Sequence, residues 1–180
     1  MDNQRPAETS SDAMGILRIR ARALAAPLES PPSEAILEVL EFRLAQERYA
    51  VETQYLREVY PLKHLTPLPA APPFVRGIVN VRGQILPLLD LKRFFDLPDQ
   101  GVTDLHRILV VEGNDMKLGL LGDATVGVRS IPADSLQPGL PTLTGIRSDY
   151  LKGVTADCLV VLDLARILAD PRIVVHDEVD

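Results

Sequence analysis

The sequence predicts a mainly β protein in which two small barrels of similar design share an interface, with short helices and an N-terminal helical extension. Three observations carry this. A motif recurs: Phe74-Val75-Arg76-Gly77-Ile78 leads to Leu88-Leu89-Asp90-Leu91, and Tyr150-Leu151-Lys152-Gly153-Val154 leads to Val161-Leu162-Asp163-Leu164. The offset is 76 residues at the glycine (77 to 153) and 73 at the aspartate (90 to 163), and such self-similarity marks a duplicated unit. Upstream, Tyr49-Ala50-Val51 and Glu58-Val59 stand 69 residues before Leu118-Gly119-Leu120 and Gly127-Val128, a weaker match in the same sense. Short apolar runs broken by turn residues supply the second observation, the rhythm of a sandwich or barrel. The third is composition: 46% apolar residues with four Tyr, four Phe and no Trp make an aliphatic core suited to strands.

Taken in order, residues 1–35 stand apart from the rest. A polar start leads into Ile16-Leu17-Arg18-Ile19-Arg20-Ala21-Arg22-Ala23-Leu24 and then a Pro-rich stretch from Pro27 to Ser33. Ala, Arg and Leu favour a helix, while the apolar and Arg residues alternate at the period of a strand; the reading adopted is a short helix followed by a linker. From Ile36 the pattern becomes strands, at Ile36–Leu44, Tyr49–Val51, Glu58–Tyr60, Ile78–Val81 and Gln84–Leu89. Arg82-Gly83 between two apolar runs reads as a tight hairpin turn, since glycine accepts a positive φ. Asp90 and Asp163 each end a strand and are placed to cap the short helices expected over Leu91–Phe95 and Leu164–Ala169. The strand rhythm repeats at Arg107–Glu112, Met116–Leu121, Thr125–Ile131 and Cys158–Leu162.

At 180 residues the chain is long enough to bury roughly 70% of its extended surface in a compact fold. A net charge of −6 argues against a protein that binds nucleic-acid backbone, which needs clustered Lys and Arg. Cys158 is the sole cysteine, in an apolar run, and reads as a buried thiol. No stretch resembles a signal peptide or approaches the ~18 to 20 apolar residues needed to span a bilayer, so a cytoplasmic protein without direct membrane insertion is expected.

Groups able to do chemistry are scarce. His64, His106 and His176 stand apart from one another and from Cys158 at spacings unlike those of a zinc site, and they read as surface histidines. Ser130, Ser135 and Ser148 lack a nucleophile-elbow context. The glycines at 119, 122 and 127 are not followed by Lys-Ser or Lys-Thr, which excludes a phosphate loop. The expectation is a protein without catalytic centre, cofactor or metal.

Two strings carry a specific resemblance. Glu47-Arg48-Tyr49-Ala50-Val51-Glu52, Leu56-Arg57-Glu58-Val59 and the run from Pro72 to Leu91, followed by Tyr150-Leu151-Lys152-Gly153-Val154 and Leu162-Asp163-Leu164, resemble the chemotaxis coupling protein family, CheW, over about residues 36 to 170. The resemblance implies two SH3-like five-stranded β-barrels packed side by side in a domain over 36–175. It also implies a non-catalytic adapter between the cytoplasmic tip of a chemoreceptor (a methyl-accepting chemotaxis protein) and the regulatory domain of a CheA-type histidine kinase, at receptor arrays of the inner membrane. The family's paired Glu and Arg fall on Glu58 and Arg82, and Leu56, Gly77, Val79 and Arg82 become receptor-facing candidates, the aliphatic ones equally compatible with a core role. Gly122-Asp123-Ala124-Thr125 departs from the family's commoner aliphatic-Asp-x-Val. A CheW-like scaffold for a non-flagellar sensory pathway and a small β-barrel nucleic-acid-binding protein are the alternatives.

Overall fold

Eleven strands, three short α-helices and one 3-10 turn (Ala133–Ser135) are laid out by the computed structural model, which describes residues 35–98, 105–138 and 146–173; the helix expected over Ile16–Leu24 lies outside the described residues. The strands are β1 (Ile36–Leu44), β2 (Glu47–Glu52), β3 (Leu56–Pro61), β4 (Leu65–Thr66), β5 (Val75–Val81), β6 (Gln84–Asp90), β7 (Arg107–Gly113), β8 (Met116–Gly122), β9 (Ala124–Pro132), β10 (Leu151–Val154) and β11 (Leu159–Leu162). The helices are α1 (Leu91–Phe94), α2 (Ile146–Asp149) and α3 (Leu164–Leu168).

Two sheets form, in the orders β3-β7-β8-β6-β5-β4 and β9-β1-β2-β11-β10. In the first, β3 and the two-residue β4 are nearly continuous in sequence and bend round to both edges, so that it is a five-stranded barrel closed by one bent strand. In the second, the chain beyond β9 does the same when Gln137 bridges to Val154 of β10. We call these barrel I and barrel II. Both are SH3-like β-barrels.

The duplication extends to register. Mapping β1, β2, β3, β5 and β6 onto β7, β8, β9, β10 and β11 converts one strand order into the other, and each barrel has its one parallel pair at the same place: β6 beside β8, and β11 beside β2. The bulges coincide as well. Arg76 is skipped between Val75 and Gly77, and Lys152 between Leu151 and Gly153; likewise Arg57 corresponds to Val126. The copies do not each make a barrel, however. Strands β1 and β2 of the first copy complete barrel II, and β7 and β8 of the second complete barrel I, so barrel I is contiguous (56–122) and is inserted into barrel II.

Because the central strands are covered on both faces, their side chains serve two cores. Val79, Val81, Leu86, Leu88, Ile108, Val110 and Leu121 fill barrel I, and Val39, Ala50, Ile131, Leu159 and Val161 fill barrel II. Between the barrels lies a third, larger cluster, fed by the alternate residues of the same strands, such as Leu40, Phe42, Leu109, Val111, Val160 and Leu162, and by Phe94 and Ile167 of the helices.

Two expectations fail. Cys158 is exposed, because it is the last residue of the β10–β11 turn, with φ of 61°, and Leu159 begins the buried run. His106 is 6% exposed, drawn in as its carbonyl accepts the Leu62 N–H and its ring turns towards Asp123. His64 is exposed, and His176 lies outside the described residues.

Candidate functional site

Barrel I presents a rim made by the β5–β6 turn and the edge strand β3. The turn is Arg82-Gly83, with φ of 52° and 86°, the mirror-image geometry that suits the twist of a two-residue hairpin. Asn80 Oδ1 accepts the Gly83 N–H at 2.8 Å and steadies it. From this turn Arg82 Nε lies 2.8 Å from Glu58 Oε2 on β3, with Arg82 74% and Glu58 28% exposed. Water screens such a pair, so its stabilisation is roughly 0.2–1 kcal/mol and its main effect is to orient the guanidinium. Val59, which follows Glu58 in β3, and Ile85, two residues beyond Gly83, are exposed, apolar positions not singled out in the sequence.

The other candidates lie deeper. Leu56 is half-buried against the shared core, Val79 is 2% exposed inside barrel I, and Gly77 is buried. Gly77 has a steric reason: a Cβ there would overlap the Thr66 carbonyl oxygen of the closing strand, and its φ of 147° disfavours a side chain. At Gly153 the corresponding Cβ would lie 2.9 Å from the Gln137 carbonyl oxygen and 2.8 Å from Leu136 Cβ. The repeated glycine is thus where each barrel closes on itself.

Barrel II carries an equivalent rim with the polarity reversed. Its β10–β11 turn offers an acid, Asp157, and its edge strand β9 a base, Arg129, with Nη1 to Oδ2 at 3.0 Å. Arg48 joins from β2 at 3.3 Å and also grips the buried Glu41 with two bonds of 2.7 and 3.1 Å. That guanidinium holds the Glu41 carboxyl below the usual carboxylate range against the opposing effect of burial. Asp157 is held far lower, first by the Thr155 hydroxyl and then by Arg129. Val126 and Val128 are exposed on β9. The 69-residue offset of Glu58 to Gly127 points near this rim but misses it, because Arg129, two residues on, fills the role.

An apolar groove of about 510 Å³ on barrel I is lined by the Pro-rich 68–72 segment, Val75, Leu89 and Met116, and by Ile173. Ile173 is held by its neighbour: the Arg172 guanidinium stacks 5.0 Å over the Phe94 ring, donates to the Tyr150 hydroxyl at 2.8 Å and pairs with Asp170. The Tyr150 hydroxyl also bonds Asp170.

Among the described residues no group of three or more His, Cys, Asp or Glu is gathered to hold a metal ion. The rims offer charge and apolar surface, which is the chemistry of binding. Residues 38–172 match the family model of the CheW-like domain. The chain belongs to the CheW-like family. It is 27% identical over 143 residues to the chemotaxis protein CheW of Treponema pallidum, covering 76% of this chain and 84% of that one. To protein FrzA of Myxococcus xanthus it is 31% identical over 157 residues, covering 84% and 94%. Among solved structures, the scaffolding protein TtCheW of Thermoanaerobacter tengcongensis superposes with a TM-score of 0.64 at 31% identity, over 71% of this chain and 89% of that one. This CheW-like chain is therefore a non-catalytic adapter that couples components of a chemotaxis signalling system.

Proposed function

We propose that the adapter joins the cytoplasmic tip of a chemoreceptor to the regulatory domain of a CheA-type histidine kinase, in the cytoplasm at receptor arrays of the inner membrane. It acts by binding both at once. The observation that carries this is the pair of rims, one on each barrel, each with an ion pair between hairpin turn and edge strand and with exposed aliphatic side chains on that edge strand. No helix among the described residues is long and apolar enough to cross a membrane, in keeping with attachment through partners. Residues 36–175 form the CheW-like domain of this reading and residues 1–35 an extension to it.

The receptor contacts barrel I. Arg82 and the outer edge of Leu56 touch it, while Gly77 and Val79 shape that surface from beneath, by admitting the closing strand and filling the barrel. The apolar groove beside β5 extends the same surface with a lining that suits an apolar helical face. Reversing charge tests the assignment. Glu58→Arg or Arg82→Glu alone weakens receptor binding, and the double reversal restores part of it, with a coupling energy of roughly 0.5–3 kcal/mol. Purely additive losses in folded variants would show that the two charges do not act on the receptor as a pair.

A further inference from the structure

Within the described residues the chain passes between the barrels at two places, residues 53–55 and the single residue Asp123, which separates β8 of barrel I from β9 of barrel II. Asp123 has no slack, and it is bonded to both sides. Towards barrel II, its N–H donates to the Arg43 carbonyl at 3.0 Å, and its Oδ2 accepts the Ala45 N–H at 2.7 Å. Ala45 makes that bond from the β1–β2 turn with φ of 54°, a conformation a residue with a side chain adopts only at a cost. Towards barrel I, Asp123 Oδ1 receives the Lys92 ammonium of α1 at 2.8 Å. The His106 Nε2 also approaches within 2.8 Å, in an alignment poor for N–H donation. Both side chains are nearly enclosed, at 3% and 7% exposure. Next to it, Gly122 lets the barrels close: a Cβ would stand 3.2 Å from the Phe42 ring of barrel II and 3.3 Å from Leu109 of barrel I.

The rest of the contact between the barrels is largely aliphatic and aromatic packing. Apolar attraction itself has no preferred direction, so within the range that side-chain shape allows, the choice of one angle falls to the polar contacts. An enclosed polar contact does select, because any rotation that parts Lys92 from Asp123 leaves a buried charge unpaired.

We propose that Asp123 is a positioning residue that sets the angle between the two barrels, by holding Lys92 of one against the Arg43–Ala45 turn of the other. On the two-rim reading of the function, this angle is what fixes the direction of one partner relative to the other.

The test reads that angle in the full chain. With Cys158→Ser as background, spin labels at Ile85→Cys in barrel I and Val126→Cys in barrel II report the distance between barrels by pulsed dipolar spectroscopy. The parent gives one narrow distribution. Asp123→Asn, which keeps the size and the Ala45 acceptor but removes the charge, gives a broadened distribution with a shifted mean while unfolding stays cooperative. An unchanged distribution in the folded variant overturns the proposal. If Asp123→Asn alone fails to fold because Lys92 is stranded, Asp123→Asn with Lys92→Met removes both charges, and it should fold with the broadened distribution. Failure of that double variant to fold, or a narrow unshifted distribution in it, also overturns the proposal. The distances need no partner, so a wrong assignment of receptor and kinase leaves this result untouched.

Discussion

At Gly77 the lack of a side chain is a packing requirement, and at Gly83 it is a conformational one; the two should be separable by the same substitution. Gly77→Ala drives a methyl into the backbone of the closing strand, which cannot move aside, and should cost about 3 kcal/mol in a denaturant titration. Gly83 has open space around it and only its φ of 86° to defend, so Gly83→Ala should cost about 1 kcal/mol. Equal losses would contradict the account of barrel closure. Asp170 supplies a pH dependence. The Arg172 guanidinium, opposed by burial and helped by the Tyr150 hydroxyl, lowers its carboxyl from 3.8 to about 2. A carboxyl depressed on folding adds stability that is complete above its unfolded value and is lost as the pH falls from 3.8 through about 2. The melting temperature of Arg172→Gln should therefore lie below the parent's at neutral pH and fall less steeply with acid over that window. Parallel curves would show that Arg172 does not set the Asp170 carboxyl.

At the scale of elements, the strand-to-helix junctions at Asp90 and Asp163 are built alike and loaded differently. Each aspartate donates its N–H to the aromatic that opens its motif, Phe74 or Tyr150, at 2.8 Å. Asp90 is fully buried; it accepts the Lys92 N–H at 3.0 Å, reaches the Arg93 N–H at 3.4 Å and pairs with Arg76 at 2.8 Å. Asp163 is partly exposed and caps through the Arg166 N–H at 3.1 Å. Asp90→Ala breaks the buried pair with Arg76 as well as uncapping the helix end and should cost about 3 kcal/mol, while Asp163→Ala should cost about 1 kcal/mol. A thermal-unfolding series ranking them the other way would contradict the comparison. These junctions were legible in the sequence because a cap and a two-residue turn are local chemistry. Most strand bounds were legible to within two residues for the same reason. Leu65–Thr66 was not, since two residues between His64 and Pro67 carry no period, and they become a strand only because Gly77 admits them. Leu151–Val154 carries no strand period either, because the bulge at Lys152 breaks its alternation.

Over the whole molecule, the duplication told which segments are equivalent but not which of them pair. The parallel contacts of β6 with β8 and of β11 with β2 join strands far apart in sequence, and they decide that the copies interleave instead of standing in series. The two rims follow from that arrangement. Barrel I's rim was visible through Glu58 and Arg82, whereas Arg48, Arg129 and Asp157 come from three elements that only the fold assembles. Because each rim sits on its own barrel, occupation of one should leave the other open. The direct measurement is light scattering on a size-exclusion column of the full chain mixed with a receptor-tip fragment and a kinase regulatory domain. The account predicts a single three-component complex, in which the affinity for either partner is unchanged by saturation with the other. Displacement of one partner by the other, with only two-component complexes eluting, would contradict it.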